Sequence, residues 1–262
     1  MIIAALKSRR PSLMAQPEWS AVDDLTLDKH PSSTSLILYL LDALAQIPSL
    51  YHKLDAIVRD NKEACVSETS CEGSTHPSRI RTLLNRSLRL LDDVRYTRTQ
   101  WNCSHPVGGL PTLPFTNVSS LQPYPCAVVT HFSSLSAANA YTMCATIVIL
   151  ISQFVLTIYQ LSPPTKLEVS LAIDHISVAV MEILSSIDYY LTFANKTAIT
   201  TVGACPSSFY LLPIRVTHQV LSLSKSPEDI SRKIWLEDAL LMIEGKRGAW
   251  TSNSKLLHVK RR

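Results

Sequence analysis

Apolar residues recur along this chain at intervals of three and four, the spacing that stacks side chains on one face of an α-helix. In "SSTSLILYLLDALAQIP", Leu36, Ile37, Leu40, Leu41, Leu44 and Ile47 make such a face. Pro48 is expected to end or bend this helix, because it lacks the donor that the next turn requires. "PSLYHKLDAIVRD" resumes the pattern with Leu50, Leu54 and Ile57. Residues 61–77, "NKEACVSETSCEGSTHP", are polar and read as an exposed loop. A long amphipathic helix follows, with Ile80, Leu83, Leu84, Leu88, Leu91 and Val94 leading to Trp101. Residues 102–125 hold five prolines and the Gly108-Gly109 pair, a connector that cannot carry long regular structure. Its apolar members Leu110, Leu113, Phe115 and Tyr124 favour packing over the helices.

The second half continues in helical period. Val169, Ile173, Ile176, Val180, Ile183, Ile187 and Leu191 form one stripe, and "FYLLPIRVTHQVLSLS" starts or bends at Pro213. The last helix is marked at both ends: Ser226 as N-cap, Pro227 and two acids in its first turn, then Gly245 with Lys246 and Arg247. No internal repeat and no strong strand-like alternation interrupts this. The expected fold is all-α, about seven to eight helices with a long Pro-rich connector. It forms a single domain over residues 17–250, with loops at 61–77 and 102–125. Short basic tails flank it at 1–16 ("KSRR") and 251–262 ("HVKRR").

One stretch allows two readings. "MCATIVILISQFVLTIYQL", Met143–Leu161, is nineteen residues without a formal charge, long and apolar enough to cross a bilayer. However, Asn139, Thr142, Thr146, Gln153, Thr157 and Gln160 recur at intervals of three, four or seven and fall on one narrow stripe. A lone spanning helix would turn that stripe toward lipid, which cannot hydrogen-bond it. A buried helix of a bundle places such a stripe at its exposed edge or in polar contacts with neighbours. The flanks also lack a basic cluster that would set a topology. The expectation is an interior helix; the alternative is a single-pass membrane anchor.

Composition narrows the function classes. With 46% hydrophobic and 18% charged residues the chain is too apolar for disorder, and its six glycines are few for a dinucleotide-binding fold. A net charge of +4 is modest for a protein that coats nucleic acid. None of the six cysteines (Cys65, Cys71, Cys103, Cys126, Cys144, Cys205) forms a C-x-x-C pair, so no zinc site is expected and the thiols read as reduced and buried. The opening residues are too short an apolar run for a signal peptide, so the compartment is expected to be intracellular. The sequons at Asn85, Asn102, Asn117 and Asn195 accordingly read as accidental. Asp174-His175, Asp92-Asp93 and Glu237-Asp238 are adjacent pairs on helices. Their side chains diverge by about 100° and read as polar positions rather than catalytic pairs. The arginines Arg79, Arg81, Arg86, Arg89, Arg95 and Arg98 read as a solvated face. No catalytic residue, cofactor or metal ligand is expected.

The order of features resembles the regulatory, C-terminal helical region of fungal transcription factors of the binuclear zinc-cluster (Zn2Cys6) type. The resemblance rests on "PEWS" at Pro17–Ser20, "ALAQIPSLYHKLDAI", "LLNRSLRLLDDVRYTRTQW" and "PFTNVSSLQPYP". It continues through "ANAYTMCATIVILISQFVLTIY", "ISVAVMEILSSIDYYL", "FYLLPIRVTHQVL" and "IWLEDALLMIEGKRGAW", so it spans Pro17 to Trp250. It implies a nuclear regulatory domain acting through protein partners of the transcription machinery or a small apolar ligand. Its structural markers are Trp19, Pro48, Trp101, Pro213 and Trp235. The family's DNA-binding module needs six cysteines in paired motifs around two zinc ions. The dispersed cysteines here supply none of them, so direct DNA binding is not expected.

Overall fold

The computed structural model describes residues 2–11, 33–66, 76–104, 108–111, 126, 128–161, 166–200 and 211–244. Among these residues the chain makes seven helices and one pair of short strands, an all-α fold as expected. The helices are α1 (Ile2–Ser8), α2 (Ser33–Val66), α3 (His76–Ser104), α4 (Leu135–Leu161), α5 (Lys166–Thr200), α6 (Leu211–Leu223) and α7 (Pro227–Glu244). Strands β1 (Gly108–Pro111) and β2 (Val128–His131) pair antiparallel between α3 and α4. The chain divides into two compact units, neither contiguous: Met1–Trp101 with Ile147–Ile176, and Asn102–Thr146 with Ser177–Arg262.

In the first unit, α2 runs without a break through Pro48. The expected end of the helix does not occur, because the apolar stripe keeps its phase across the proline. Leu36, Leu40, Leu44 and Ile47 are buried before it, and Leu50, Leu54 and Ile57 after it. A proline inside a helix costs about 3 kcal/mol. Burying each of the three later side chains contributes about 1.5–3 kcal/mol, and only a continued helix keeps them on the buried face. The expected loop at 61–77 is correspondingly shorter: α2 extends to Val66 and α3 begins at His76. Along α3, Ile80, Leu83, Leu91, Val94 and Trp101 are buried, whereas Arg79, Arg81, Arg86, Arg89 and Arg95 are exposed on the other side. Ser87 and Thr97, polar members of the buried stripe, donate to the carbonyls of Leu83 and Asp93.

The first residues were expected as a basic tail and instead form α1, which packs on α2 with Ala5 and Leu6 buried. The helix closes in a Schellman arrangement: Arg9 has φ 50°, and the Arg10 N–H bonds the Ala5 carbonyl at 3.2 Å. A left-handed non-glycine residue costs about 1–2 kcal/mol. Arg9 Nη1 lies 2.8 Å from Asp55 Oδ1, with the two side chains 30% and 38% exposed, so solvent holds this pair to about 0.2–1 kcal/mol.

Helix α4 starts eight residues before Met143, at Leu135. Ser134 caps it, its Oγ accepting from the Ala137 N–H at 3.1 Å. Residues 142–152 are buried without interruption, three turns with no face to solvent. Thr142, Thr146 and Thr157 each donate to the carbonyl four residues back, at 2.7–2.9 Å, so the expected polar stripe is largely satisfied inside the helix. Its remaining members Asn139 and Gln153 are half-buried, and Gln160 is exposed. On α5 the expected stripe is buried only from Val180 onward; Ile173 is exposed, and Val169 and Ile176 are half-buried.

In the second unit, α6 and α7 pack as a helical hairpin across three residues. Pro213 sits in the first turn of α6, where its missing N–H would have had no partner inside the helix. Ser226 holds the N-cap position of α7, its carbonyl accepting from Ile230 at 3.0 Å. Gly245, Trp250 and the C-terminal basic tail lie outside the described residues, as does Trp19. The expectation that all thiols are buried is corrected at Cys103, which is exposed; Cys126 and Cys144 are buried.

Two substitutions on α4 test this packing by urea denaturation. Leu150→Ala is expected to cost about 2–5 kcal/mol, since it opens a cavity where the helix has no solvent face. The Ser152 hydroxyl is buried with no hydrogen-bond partner among the described residues. Ser152→Ala is therefore expected to be neutral or stabilising by about 1 kcal/mol, because it removes that orphan.

Candidate functional site

A polar network lies in the second unit, where β2, the start of α4 and the second half of α5 come together. Two pairs register β2 on α5: Thr130 Oγ1 lies 2.7 Å from Ser185 Oγ, and the Phe132 and Tyr189 ring centroids are 5.3 Å apart, edge to face. Two strand residues span about 6.8 Å and four helical residues about 6 Å, so both contacts form at once. Phe132 also meets Tyr141 of α4 at 5.3 Å, and Tyr189 meets Tyr190 at 6.0 Å. The Tyr190 hydroxyl donates to Asn139 Oδ1 at 3.0 Å and lies 3.1 Å from Thr142 Oγ1, both on α4. Burial of Tyr190 raises its phenol far above the usual tyrosine range, so the hydroxyl stays protonated and can act as donor.

This network explains how a two-stranded ladder of four pairs persists, since such a ribbon is marginal by itself. Gly108 and Gly109 lie opposite His131 and Thr130, where the absence of side chains on β1 leaves the partner strand uncrowded. Asp188 is the titratable group at its edge. Burial raises its carboxyl above the usual aspartate range, and the neighbouring His131 opposes that shift.

Two other pairs hold titratable groups close. In the first unit, Arg95 Nη1 of α3 lies 3.0 Å from His175 Nε2 of α5. A guanidinium can only donate, so the imidazole nitrogen accepts and the ring is neutral. Burial lowers the His175 pKa and Arg95 lowers it further, while Asp174 and Asp92 oppose them. In the second unit, His218 Nε2 of α6 lies 2.7 Å from Glu237 Oε1 of α7, and Lys233 approaches the same oxygen at 3.8 Å. Burial pushes the Cys126 thiol up to about 11, against the opposing charge of Arg232.

Of the sequence markers, Pro48 and Trp101 are buried in the first unit, and Pro213 and Trp235 are buried on α6 and α7 in the second. Pro213 and Trp235 therefore sit on helices that pack together. All four occupy structural positions within helices. The residues of the polar network, apart from Asn139 and Thr142, were not singled out by periodicity. The available signals were the Tyr189-Tyr190 pair near the end of an apolar stripe and the β-branched run Val128-Val129-Thr130. Among the described residues no three of His, Cys, Asp and Glu group so as to hold a metal ion. No family model, curated protein or solved structure matches the chain.

His175 gives a pH signature. Its folded pKa lies below the ordinary 6.5, so below that pH the unfolded chain binds a proton that the folded chain resists. Stability is expected to fall as pH drops from 6.5 through the folded midpoint and to level off beneath it. In an NMR titration of the ring, Arg95→Met is expected to raise the midpoint, and Asp92→Asn to lower it. Asp188 has the opposite sense: its raised carboxyl makes ionisation unfavourable to the fold. Asp188→Asn is expected to raise the urea midpoint at neutral pH and to leave it unchanged in acid, where Asp188 is already neutral.

Proposed function

We propose that the chain is a non-enzymatic regulatory domain of the kind found in fungal zinc-cluster transcription factors. It acts in the nucleus on transcription, through protein partners of the transcription machinery or a small apolar ligand, without a zinc cluster of its own. The observation that supports this reading is the order in which the family-like segments fall on helices. "ALAQIPSLYHKLDAI" lies in α2, "LLNRSLRLLDDVRYTRTQW" in α3, and the apolar "ANAYTMCATIVILISQFVLTIY" in the buried α4. "ISVAVMEILSSIDYYL" follows in α5, and the Pro213 and Trp235 segments in α6 and α7. The chemistry of the polar sites fits the same reading: the hydroxyls of the β2–α4–α5 network are engaged with one another rather than directed at a shared reaction centre.

A second reading, a single-pass membrane protein anchored by Met143–Leu161, draws support from the apolar helices. The window on α4 has mean hydropathy 2.0 and is 78% buried within the protein; that on α5, Glu168–Thr192, has 1.5 and is 44% buried. Burial of α4 by its own chain favours the regulatory reading, since a lipid-facing helix would leave that surface uncovered.

Fractionation of a tagged copy separates the two. The regulatory reading expects release from membranes by alkaline carbonate and concentration in nuclei. Carbonate-resistant membrane association would sink it and favour the anchor. Sequencing the gene immediately upstream adds a second arm: an in-frame exon with paired C-x-x-C motifs would restore a DNA reader and make this chain part of a longer factor.

A further inference from the structure

Arg9 is the one non-glycine residue with positive φ among those described, at 50°. Glycine takes that conformation without strain, and a larger residue persists there where its surroundings hold it. Two groups on α2 hold Arg9. Its Nη1 donates to Asp55 Oδ1 at 2.8 Å, and its guanidinium carbon stands 5.0 Å from the centroid of the Tyr51 ring. Tyr51 and Asp55 are four residues apart, one turn of α2, and so share a face. The Tyr51 ring is already fixed by its edge-to-face contact with Phe154, centroids 4.9 Å apart. A carboxylate beside a positioned aromatic face offers a guanidinium both a charge-assisted hydrogen bond and a cation–π contact.

The rest of α1 is weakly tied. Seven residues are too few for a helix that stands alone; among the side chains described, Ala5 and Leu6 are buried. Short helices open locally without global unfolding. We propose that Tyr51 and Asp55 form a guanidinium-binding site on α2, that Arg9 occupies it in cis, and that α1 is a detachable clasp of which Arg9 is the catch. Opening releases Arg9 from its left-handed backbone. It presents the Tyr51–Asp55 site to an arginine-bearing segment of a partner and frees Lys7, Arg9 and Arg10 as a basic run. The inference uses no part of the regulatory reading.

Hydrogen exchange on the full chain, followed by mass spectrometry, tests it. The α1 amides are expected to exchange well ahead of those in α2 and α4. Asp55→Asn and Arg9→Ala are each expected to accelerate α1 exchange about twofold to fivefold, the scale of a part-exposed ion pair, without moving the global melting temperature. Arg9→Gly removes the catch but also relieves the left-handed strain, so its α1 is expected to exchange more slowly than that of Arg9→Ala. Arginine chloride is expected to open α1 more than lysine chloride at equal ionic strength. Unchanged or slower α1 exchange in Arg9→Ala would overturn the role of Arg9. Exchange of α1 in step with α2, with a matching fall in melting temperature for Asp55→Asn, would make α1 part of the core and overturn the clasp. Equal effects of the two chlorides would overturn the guanidinium site.

Discussion

The fold depends on three turns of α4 that have no face to solvent. Residues 142–152 of α4 are buried, so polar groups there can pair only within the protein, a demand that the Ser152 hydroxyl leaves unmet. The threonines meet this demand by bonding back to carbonyls of their own helix. At its first turns α4 also takes a phenol from α5, which in turn fixes the aromatic contacts that hold β2. The small strand pair is thus a consequence of how α4 is enclosed rather than an independent motif.

The fold class was legible because period is a local property. The phase of the α2 stripe carried through Pro48, and the buried set of α3 follows its spacing to Trp101. What periodicity cannot give is how much of a face is covered. The stripe on α5 is as regular before Val180 as after it, yet Ile173 is exposed, because coverage is decided by neighbours far away in sequence. Helix α1 was illegible for another reason: its apolar residues Ile2–Leu6 run consecutively and are too few to establish a period. Strand β1 consists of two glycines, a leucine and a proline, and acquires its structure only from β2, twenty residues later.

The polar network was half legible. Asn139 and Thr142 stood out because they break an apolar run. Their partners Tyr190, Phe132, Thr130 and Ser185 carry no signal of that kind, since an aromatic or a hydroxyl residue suits many half-buried positions. The same limitation applies to the arginines of α3. Five of the six lie exposed as a solvated face, but nothing in the spacing of Arg95 announces its contact with His175, eighty residues away.

The division of the chain into two interleaved units bears on its synthesis. The first unit takes residues up to Ile176, whereas the second begins at Asn102. A ribosome delivers the chain in order, and ordinary multidomain proteins exploit this by folding each domain as it emerges. Here the segment that opens the second unit is translated before the first unit is complete. The first unit is therefore complete only after residues 102–146, which belong to the second, have already emerged.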